Sequence, residues 1–487
     1  MSYSIGCFDN YVNGKFCASS SGETMETKNP ANGSLVAKVQ KSTVDDVHEA
    51  VRVANEAFNN ADWAWNPRRR TRALFAWADA IRNNMDDLMR KLSMETGKPL
   101  QEARGELMGS IGYLEYYGAM ARSLYGGVTS IDKDSYSMLV REPLGAVGII
   151  VPWNYPITLL MRDLAPALAA GNTAVVKPAN QTSGITMEVI SLLEGIDEIP
   201  AGVVNALTGS GRVIGMELVR TKGIEMINFT GSSSTGKTIM REASNTMKKL
   251  SLELGGKSAS VVFADADFDK AMTFAIRSIF THAGQLCTSA SRLVVEESIK
   301  DKVLDELTKR AQALKVGNGL EEGTQMGAIS TKDQFDSIMR YIEIARKEGR
   351  IVTGGKQITR DGLDQGYFIE PTIVTDLPID SRVAQEEIFG PVLVVQTFKT
   401  EEEAVAIANS TAFGLASGVW SKDIDRAMRV ARRMKAGSTW INTYNRLIPE
   451  AETGGYKESG IGRSGGREGI LEFTEVKHIM IDHTPLR

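Results

Sequence analysis

Cysteine is scarce in this chain, with only Cys7, Cys17 and Cys287 among 487 residues. So few cysteines exclude a disulfide scaffold and are typical of a protein from a reducing compartment. An excess of basic residues is also missing. The net charge is −4 with both signs interspersed, so nothing indicates a nucleic-acid partner.

Long apolar segments are absent as well. No apolar run approaches the roughly 18–20 residues that a membrane-spanning helix needs. The first residues, MSYSIGCFDNYVNGKF, lack a basic segment followed by an apolar core and so do not resemble a secretory signal. We therefore expect a soluble cytoplasmic protein with no membrane partner and no metal.

The length alone gives a rough expectation of about three domain-sized units. Residues 5–40 read as short strands and turns, in which Asn13-Gly14 and Asn32-Gly33 are hairpin signals. Periodic apolar residues predict two helices within 43–95 and one long helix over 98–125.

From about residue 144, strand-length apolar runs alternate with helical segments. The predicted strands are 146–151, 173–177, 203–207, 226–229 and 259–263, and the helices between them are 157–169, 183–194, 211–220 and 235–247. A second alternating set has helices at 267–283, 298–314, 331–348, 401–409 and 423–435 and strands at 292–296, 372–375, 392–397, 418–420 and 438–441. This alternation predicts an α/β protein with two doubly wound units. The tail, 475–487, is predicted to be an extended arm that packs on another element or subunit.

Two glycine-rich loops could bind phosphate. Gly231 to Thr238 reads GSSSTGKT, which matches the phosphate-loop pattern between a strand and a helix. Gly209 to Gly215 also joins a strand to a helix, but its glycine spacing differs by one residue from the dinucleotide fingerprint. A glycine-rich turn at a helix N-terminus presents free N–H groups to any phosphate, so both a triphosphatase and a dinucleotide enzyme remain open.

Cys287 lies in a small, polar stretch, THAGQLCTSAS, between a helical pattern and a predicted strand. A thiol in such a loop is reachable and could be a nucleophile. Taken alone, an incidental or buried cysteine is the better interpretation.

Eight motifs in order along the chain resemble the aldehyde dehydrogenase superfamily, nearest to its betaine-aldehyde, aminoaldehyde and semialdehyde branch. They are IVPWNYP (150–156), PALAAGN (166–172), KPA (177–179), FTGS (229–232), LELGGK (252–257), GQLC (284–287), EEIFGP (386–391) and GYKESG (455–460). The resemblance covers essentially the whole chain. It implies that the Gly231 loop is a cofactor-binding turn and that its match to the phosphate-loop pattern is incidental.

The resemblance implies a Rossmann-type cofactor domain, an α/β catalytic domain and a small oligomerisation arm. The expected boundaries are 1–122 with 143–254 for the cofactor domain, 255–455 for the catalytic domain, and 123–142 with 456–487 for the arm. A homodimer or homotetramer that exchanges this arm is expected.

The resemblance also implies the chemistry, the oxidation of an aldehyde to an acid with NAD(P). Cys287 would add to the carbonyl as a thiolate, and the thiohemiacetal would lose hydride to the nicotinamide to give a thioester. Glu253 would be the general base for the thiol and for the water that hydrolyses the thioester. Asn154 and the Cys287 N–H would bind the oxyanion. Without the resemblance, the sequence around Glu253 favours a surface residue of a strand, and the sequence around Asn154 favours a residue of a turn.

The same resemblance implies a set of cofactor-binding residues. They are Ile150, Val151, Pro152, Trp153, Lys177, Ala179, Asn180, Gly211, Phe229, Gly231, Ser232, Thr235, Leu254, Glu387 and Phe389. Many NAD-preferring relatives have glutamate at the position of Asn180, where a carboxylate would repel the 2′-phosphate of NADP. We therefore predict that NAD is used and that NADP is not strongly excluded.

The substrate is less defined, with Arg162, Leu286 and Thr288 as the candidate contacts. Arg162 stands where semialdehyde relatives place an arginine that binds a carboxylate, although a helix arginine paired with Asp163 is an equal alternative. No aromatic cage for a quaternary ammonium group is visible. Three alternatives stay open, namely a phosphate-loop triphosphatase that depends on Lys237, a non-catalytic relative, and a CoA-acylating enzyme, which the retained Glu253 disfavours.

Overall fold

The computed structural model describes residues 6–484. Its strands are β1 Cys7–Phe8, β2 Asn10–Val12, β3 Lys15–Cys17, β4 Thr24–Lys28, β5 Leu35–Gln40, β6 Gly127–Ser130, β7 Ser135–Pro143, β8 Ala146–Ile150, β9 Thr173–Lys177, β10 Val204–Ala206, β11 Met226–Thr230, β12 Lys249–Glu253, β13 Ala259–Val262, β14 Arg292–Glu296, β15 Arg350–Thr353, β16 Thr372–Thr375, β17 Val392–Phe398, β18 Phe413–Gly414, β19 Ala416–Trp420, β20 Ser438–Ile441, β21 Tyr456–Lys457, β22 Gly460–Ile461 and β23 Thr474–Asp482.

Its α-helices are α1 Val44–Asn60, α2 Pro67–Asn83, α3 Met85–Thr96, α4 Leu100–Met120, α5 Pro156–Ala170, α6 Ser183–Ser191, α7 Met216–Arg220, α8 Ser233–Ala243, α9 Phe268–Phe280, α10 Lys300–Gln312, α11 Lys332–Glu348, α12 Arg382–Gln385, α13 Glu401–Ala408, α14 Ile424–Arg433 and α15 Gly466–Leu471. None of the helices within residues 6–484 is long and apolar enough to cross a membrane.

The first large sheet has the strand order β22-β12-β11-β8-β9-β10-β2-β3. Its five central strands, β12 to β10, pair in parallel, while the edge strands pair antiparallel. The central strands β8, β9 and β11 are almost wholly buried, as expected for apolar runs covered by helices on both faces. Because these strands are parallel, the residues that follow them meet at one edge of the sheet.

The second large sheet has the order β15-β16-β17-β14-β13-β19-β20 and is parallel except for β15. It starts six residues after β12 ends at Glu253, so a short connection passes directly from one sheet to the other. The predicted α/β class with two parallel sheets is therefore confirmed.

A separate sheet, with the order β23-β7-β6, is antiparallel and is called the arm below. β23 pairs with β7 over its full length, from Thr474 with Pro143 to Asp482 with Ser135. The predicted extended tail is therefore a strand as far as the structure describes it, and residues 1–5 and 485–487 lie outside the described residues. β22 falls in the segment expected to belong to the arm, yet it pairs with β12 of the first sheet.

Some predicted elements were wrong in detail. The segment 43–95 contains three helices where two were predicted, because the backbone leaves helical geometry at Asn84 between α2 and α3. The predicted helix 211–220 begins with a π-helical turn at Gly211–Gly215 before α7. The predicted helix 267–283 ends at Phe280, since the following residues adopt a conformation that no α-helix contains.

Candidate active site

The loop that carries Cys287 begins with an unusual reversal of the chain. After α9 ends, His282, Ala283 and Gly284 all adopt left-handed backbone angles, with φ of 46°, 50° and 75°. Only glycine suits the third position, because a Cβ on Gly284 would also overlap the carbonyl of Gly390. The reversal directs the chain from the helix end to the cleft between the two large sheets.

The Gln285 side chain fixes this loop. Its Oε1 accepts a hydrogen bond from Ser330 N at 2.8 Å, and its Nε2 donates to His282 O at 3.0 Å. Both partners are backbone groups and Gln285 is fully buried. The loop is therefore held rigidly two residues before Cys287.

Cys287 lies at the bottom of the cleft and keeps partial exposure to it. Removal of water around the thiol raises its pKa to about 12, and Arg162 is the main group that opposes this rise. The carboxylates of Glu387 and Glu253 raise the pKa further. The thiol is therefore protonated at rest and needs a base when it attacks.

Glu253 is the last residue of β12, at the edge of the sheet where the parallel strands end. Its side chain is buried, and its Oε1 has no hydrogen-bond partner among residues 6–484. Burial raises the pKa of this carboxyl group to about 7, while Arg162 acts in the opposite direction. A carboxylate with this pKa can accept a proton near neutral pH.

Asn154 lies between β8 and α5, and its side chain faces the cysteine loop. Its Nδ2 donates to the carbonyl oxygen of Gln285 at 3.0 Å. This bond defines which end of the amide is the donor and leaves the second N–H hydrogen for another acceptor. A free amide hydrogen beside a nucleophile is suited to an oxyanion.

Two cavities meet at these residues. One has a volume of about 370 Å³ and the other about 250 Å³. Four residues line both cavities, namely Asn154, Leu159, Glu253 and Cys287. The thiol and the carboxyl group are thus reachable from two sides at once, which is the geometry that a reaction between two bound molecules requires.

Comparison with known proteins gives concordant matches. The Aldehyde dehydrogenase family matches residues 16–479. A betaine aldehyde dehydrogenase from Bacillus subtilis (strain 168) is 40% identical over 478 residues, 98% of this chain and 97% of the relative. An aldehyde dehydrogenase from Aspergillus niger is 39% identical over 96% of this chain and 94% of its own length. The chain belongs to the aldehyde dehydrogenase family.

A solved structure supports the same assignment. A crystal structure of betaine aldehyde dehydrogenase from Staphylococcus aureus in complex with NAD+ superposes with a TM-score of 0.96 and 37% sequence identity, covering 98% of this chain and 96% of that one. The family and the fold predicted from the ordered motifs are therefore confirmed.

In this aldehyde dehydrogenase, the smaller cavity could hold the nicotinamide half of a dinucleotide. The rings of Trp153 and Phe389 meet edge to face across it, with centroids 5.5 Å apart. The Glu387 Oε1 accepts from Gly256 N at 2.8 Å, and burial raises its pKa to about 7. A Cβ on Gly255 would overlap the Glu387 carboxylate, so this glycine leaves room for the acid.

A third, open cavity of about 730 Å³ is lined by residues at the ends of β8 and β11 and could hold the adenosine half. Lys177, at the end of β9, is buried beside it, and burial lowers its pKa to about 8. Its Nζ donates to Asn180 Oδ1 at 3.3 Å. Asn180 therefore faces the cavity as an amide already partnered by a lysine.

The other predicted cofactor residues divide among the cavities. Pro152, Gly231, Ser232 and Leu254 line the smaller cavity. Ile150, Gly211, Phe229 and Thr235 line the open cavity of about 730 Å³. Val151 and Ala179 line neither of them.

Arg162 lines the larger cavity, as expected for a substrate residue, together with Leu286 and Thr288. Its guanidinium group, however, donates to both carboxylate oxygens of Asp163, at 3.0 and 3.2 Å, and to Thr230 Oγ1 at 2.6 Å. Arg162 therefore forms the ion pair with Asp163 that was the alternative to a free, carboxylate-binding arginine. The positive charge is already neutralised inside the fold.

The predictions missed one face of α4, which lines the larger cavity. Glu102, Gly105, Glu106, Gly109 and Tyr113 recur at helical spacing along it. Alternation of small and polar residues on one face of a buried helix was the available signal. It could not show that this face borders the cleft, since that depends on the packing of α4 against α5.

The lysine of the Gly231 loop is paired with an acidic side chain of the same chain. Lys237 Nζ forms an ion pair with Glu458 at 2.8 Å, and both side chains are about half exposed. Within residues 6–484, no group of three or more histidine, cysteine or acidic side chains is arranged to hold a metal ion.

Proposed function

We propose that this enzyme oxidises an aldehyde to the carboxylic acid with NAD+ through a covalent bond to Cys287. The observation that carries the proposal is the position of Cys287 and Glu253 where the two cavities meet. The Staphylococcus aureus relative contains NAD+, and the residues around the smaller cavity fit a nicotinamide riboside. When bound, the dinucleotide supplies the hydride acceptor.

The side chains divide the remaining work. The Cys287 thiol gives its proton to Glu253 as the sulfur adds to the carbonyl carbon, because a thiol with a pKa of about 12 holds almost no standing thiolate at neutral pH. The oxygen that becomes negative accepts from the free Asn154 N–H and the Cys287 backbone N–H. Glu253 releases the thiol proton to solvent and later removes a proton from the water that hydrolyses the thioester. It returns that proton to the departing Cys287 thiolate, which regenerates the thiol.

We further propose that the substrate is a neutral aldehyde with an apolar body. The accessible wall of the larger cavity is mainly apolar surface, to which Leu159, Leu286 and Leu447 contribute. A carboxylate would find the charge of Arg162 already paired with Asp163. Burying an unpaired charge in such a cavity is strongly unfavourable.

A quaternary ammonium group would also lack its usual partner, an aromatic cage. Among the residues the structure describes, Tyr113 and Tyr155 are the only aromatic ones that line this cavity. One face of the Tyr155 ring is occupied by Lys98 Nζ, 3.8 Å from the centroid. The proposal therefore differs from the activity for which the Bacillus subtilis relative is named.

Absorbance at 340 nm with purified enzyme, NAD+ and an aldehyde panel tests both proposals. Two matched pairs isolate charge from shape, namely 3,3-dimethylbutanal against betaine aldehyde and 4-methylpentanal against succinate semialdehyde. We expect the neutral member of each pair to have a kcat/KM at least about tenfold higher. A higher value for either charged member would reject the substrate class, and reduction that survives Cys287→Ala would reject the mechanism.

The arm is proposed as the subunit contact. The sheet β23-β7-β6 exposes apolar side chains in neighbouring strands, among them Val128, Leu139 and Met480. Apolar patches of this kind mark association surfaces. Light scattering of the wild type and of Leu139→Lys tests it, since the substituted protein should have a smaller assembly, and an unchanged mass would reject this contact.

A further inference from the structure

Lys98 is fully buried in the turn between α3 and α4, with 0% of its side chain exposed, and so is its ion-pair partner Glu106. Lys98 Nζ also donates to the backbone oxygen of Asn154 at 2.8 Å and lies over the ring of Tyr155. One lysine thus contacts two successive residues of the loop that presents the oxyanion donor.

Glu106 holds the other end of the same loop. Its second carboxylate oxygen accepts from Ile157 N at 2.8 Å and from Thr158 N at 3.3 Å, at the start of α5. These N–H groups have no partner within their own helix, and a negative charge at a helix N-terminus is favourable. The Asn154 loop is therefore held between a cation on one side and an anion on the other.

One turn earlier on α4, Glu102 performs a similar task for the cysteine loop. Its two oxygens accept from His282 N at 3.1 and 3.0 Å, where the left-handed reversal begins. The Asn154 side chain in turn donates to Gln285 O. The start of α4 thus connects to the oxyanion donor and to the nucleophile loop through a continuous set of hydrogen bonds.

Stability does not explain such a pair. Removing two charges from water costs several kcal/mol, and apolar residues of similar volume are often as stable or more stable. The contacts of Lys98 and Glu106 instead fix backbone that carries a group of the reaction. Displacement of such a group by about 1 Å can cost about 10²-fold in rate.

We propose that Lys98 and Glu106 form a positioning pair that orients the Asn154 amide toward the oxyanion. The proposal rests on the function proposed above, in which Asn154 is the oxyanion donor. Both residues act through the backbone of the Asn154 loop, Lys98 at the Asn154 oxygen and Glu106 at the Ile157 and Thr158 N–H groups.

A double-mutant cycle with Lys98→Met and Asn154→Ala tests this role in the full-length enzyme with NAD+. We expect Asn154→Ala to lower kcat by about 10²–10³-fold and Lys98→Met by about 10–100-fold, with KM for NAD+ within about threefold of wild type. In the Asn154→Ala background, Lys98→Met should lower kcat by less than about threefold, because the group that it positions is gone.

Lys91→Met is the matched control. Lys91 also lies in this part of the chain and pairs with Glu188 at 2.6 Å, but it does not contact the Asn154 loop. It should keep wild-type kcat, with an effect on Tm alone. Glu106→Gln removes the charge that pairs with Lys98, but it keeps the side-chain shape and can still accept from Ile157 N. This variant decides the test if Lys98→Met does not fold.

If the fold losses in kcat of Lys98→Met and Asn154→Ala multiply in the variant that combines them, the positioning role is overturned. A kcat for Glu106→Gln equal to that of Lys91→Met would also overturn it. A wild-type kcat in Asn154→Ala would instead reject the oxyanion role itself, and the positioning proposal with it. The two failures are distinguishable because only the second appears in the single Asn154 variant.

Discussion

Glu253 allows the sharpest prediction, because one physical cause affects both activity and stability. Burial raises its pKa from the usual 4.5 to about 7. A rise of that size corresponds to about 3 kcal/mol in favour of the protonated form. Only the ionised form can act as the base, so the fraction of active enzyme falls about tenfold per pH unit below 7.

We therefore expect kcat to rise with pH and to level off above 7, and to be about 3% of its plateau at pH 5.5. Stopped-flow absorbance at 340 nm between pH 5.5 and 8.5 measures it. Glu253→Gln should lower kcat by at least about 10²-fold and remove the pH dependence that remains. A kcat that stays constant down to pH 5.5 would refute the assignment of Glu253 as the base.

Stability should move in the opposite direction. Below pH 4.5 the Glu253 carboxyl group is protonated in both the folded and the unfolded state, so its burial does not lower the free energy of unfolding. Between 4.5 and about 7 the folded state binds the proton more tightly, so stability falls as pH rises, and above 7 the full penalty is present. Glu253→Gln should therefore be the more stable protein at pH 8, by up to about 3 kcal/mol, with the difference vanishing below pH 4.5.

Glu95 supplies the matched control for these experiments. It is a buried glutamate whose pKa burial also raises to about 7, and it accepts from Gly184 N and Ile185 N on α6, away from the cavities. Glu95→Gln should share the pH trend in stability but keep the wild-type pH profile of kcat. Loss of that profile in Glu95→Gln would show that the profile reports the fold and not the base.

Four further outcomes are expected. In Glu253→Gln, which removes the base, alkylation of Cys287 by iodoacetamide should accelerate about tenfold per pH unit to pH 9.5, since burial raises the pKa of this thiol to about 12. Both N-terminal cysteines are replaced by serine, and a plateau below pH 9 would contradict this. Asp163→Asn should leave the charge of Arg162 unpaired and lower the free energy of unfolding by about 3–5 kcal/mol. It should also raise the ratio of kcat/KM for succinate semialdehyde to that for 4-methylpentanal by about tenfold, and an unchanged ratio would count against the role of this ion pair. Asn180→Glu should lower kcat/KM with NADP at least about tenfold and spare NAD, because a carboxylate repels the 2′-phosphate; equal losses would argue for a packing effect. Lys237→Ala should change kcat little and stability by less than about 1 kcal/mol, since the pair is exposed, whereas loss of an ATPase activity would revive the phosphate-loop alternative.

The sequence predicted most of the scaffold because local patterns suffice for it. The apolar runs at β8, β9 and β11 identified central parallel strands, and the glycine-rich turns after them marked the edge at which we propose that a dinucleotide binds. The prediction that a helix extends to residue 283 was wrong, and the reason lies in the tertiary structure. The last residues of the predicted helix adopt left-handed angles in which the chain turns toward Gly390, a contact distant in sequence.

The candidate site could be predicted only where a motif carried it. Cys287, Glu253 and Asn154 were named through resemblance to a family, and the residues alone favoured incidental readings for all three. Lys98 and Glu102 gave no such signal, because each looks like an ordinary charged residue near the start of a helix. Their roles depend on the packing of α4 against the loop before α5.

The sequence by itself determined the order of strands and helices, the parallel sheets, and therefore which residues follow the strand ends at one edge. Only the tertiary structure decided the chemistry available there. Whether Glu253 is a base near neutrality and whether Arg162 is free for a carboxylate depend on how much water is removed and on which charge lies nearby. Both are set by residues far apart in sequence, since desolvation and Coulomb energies act through space and not along the chain.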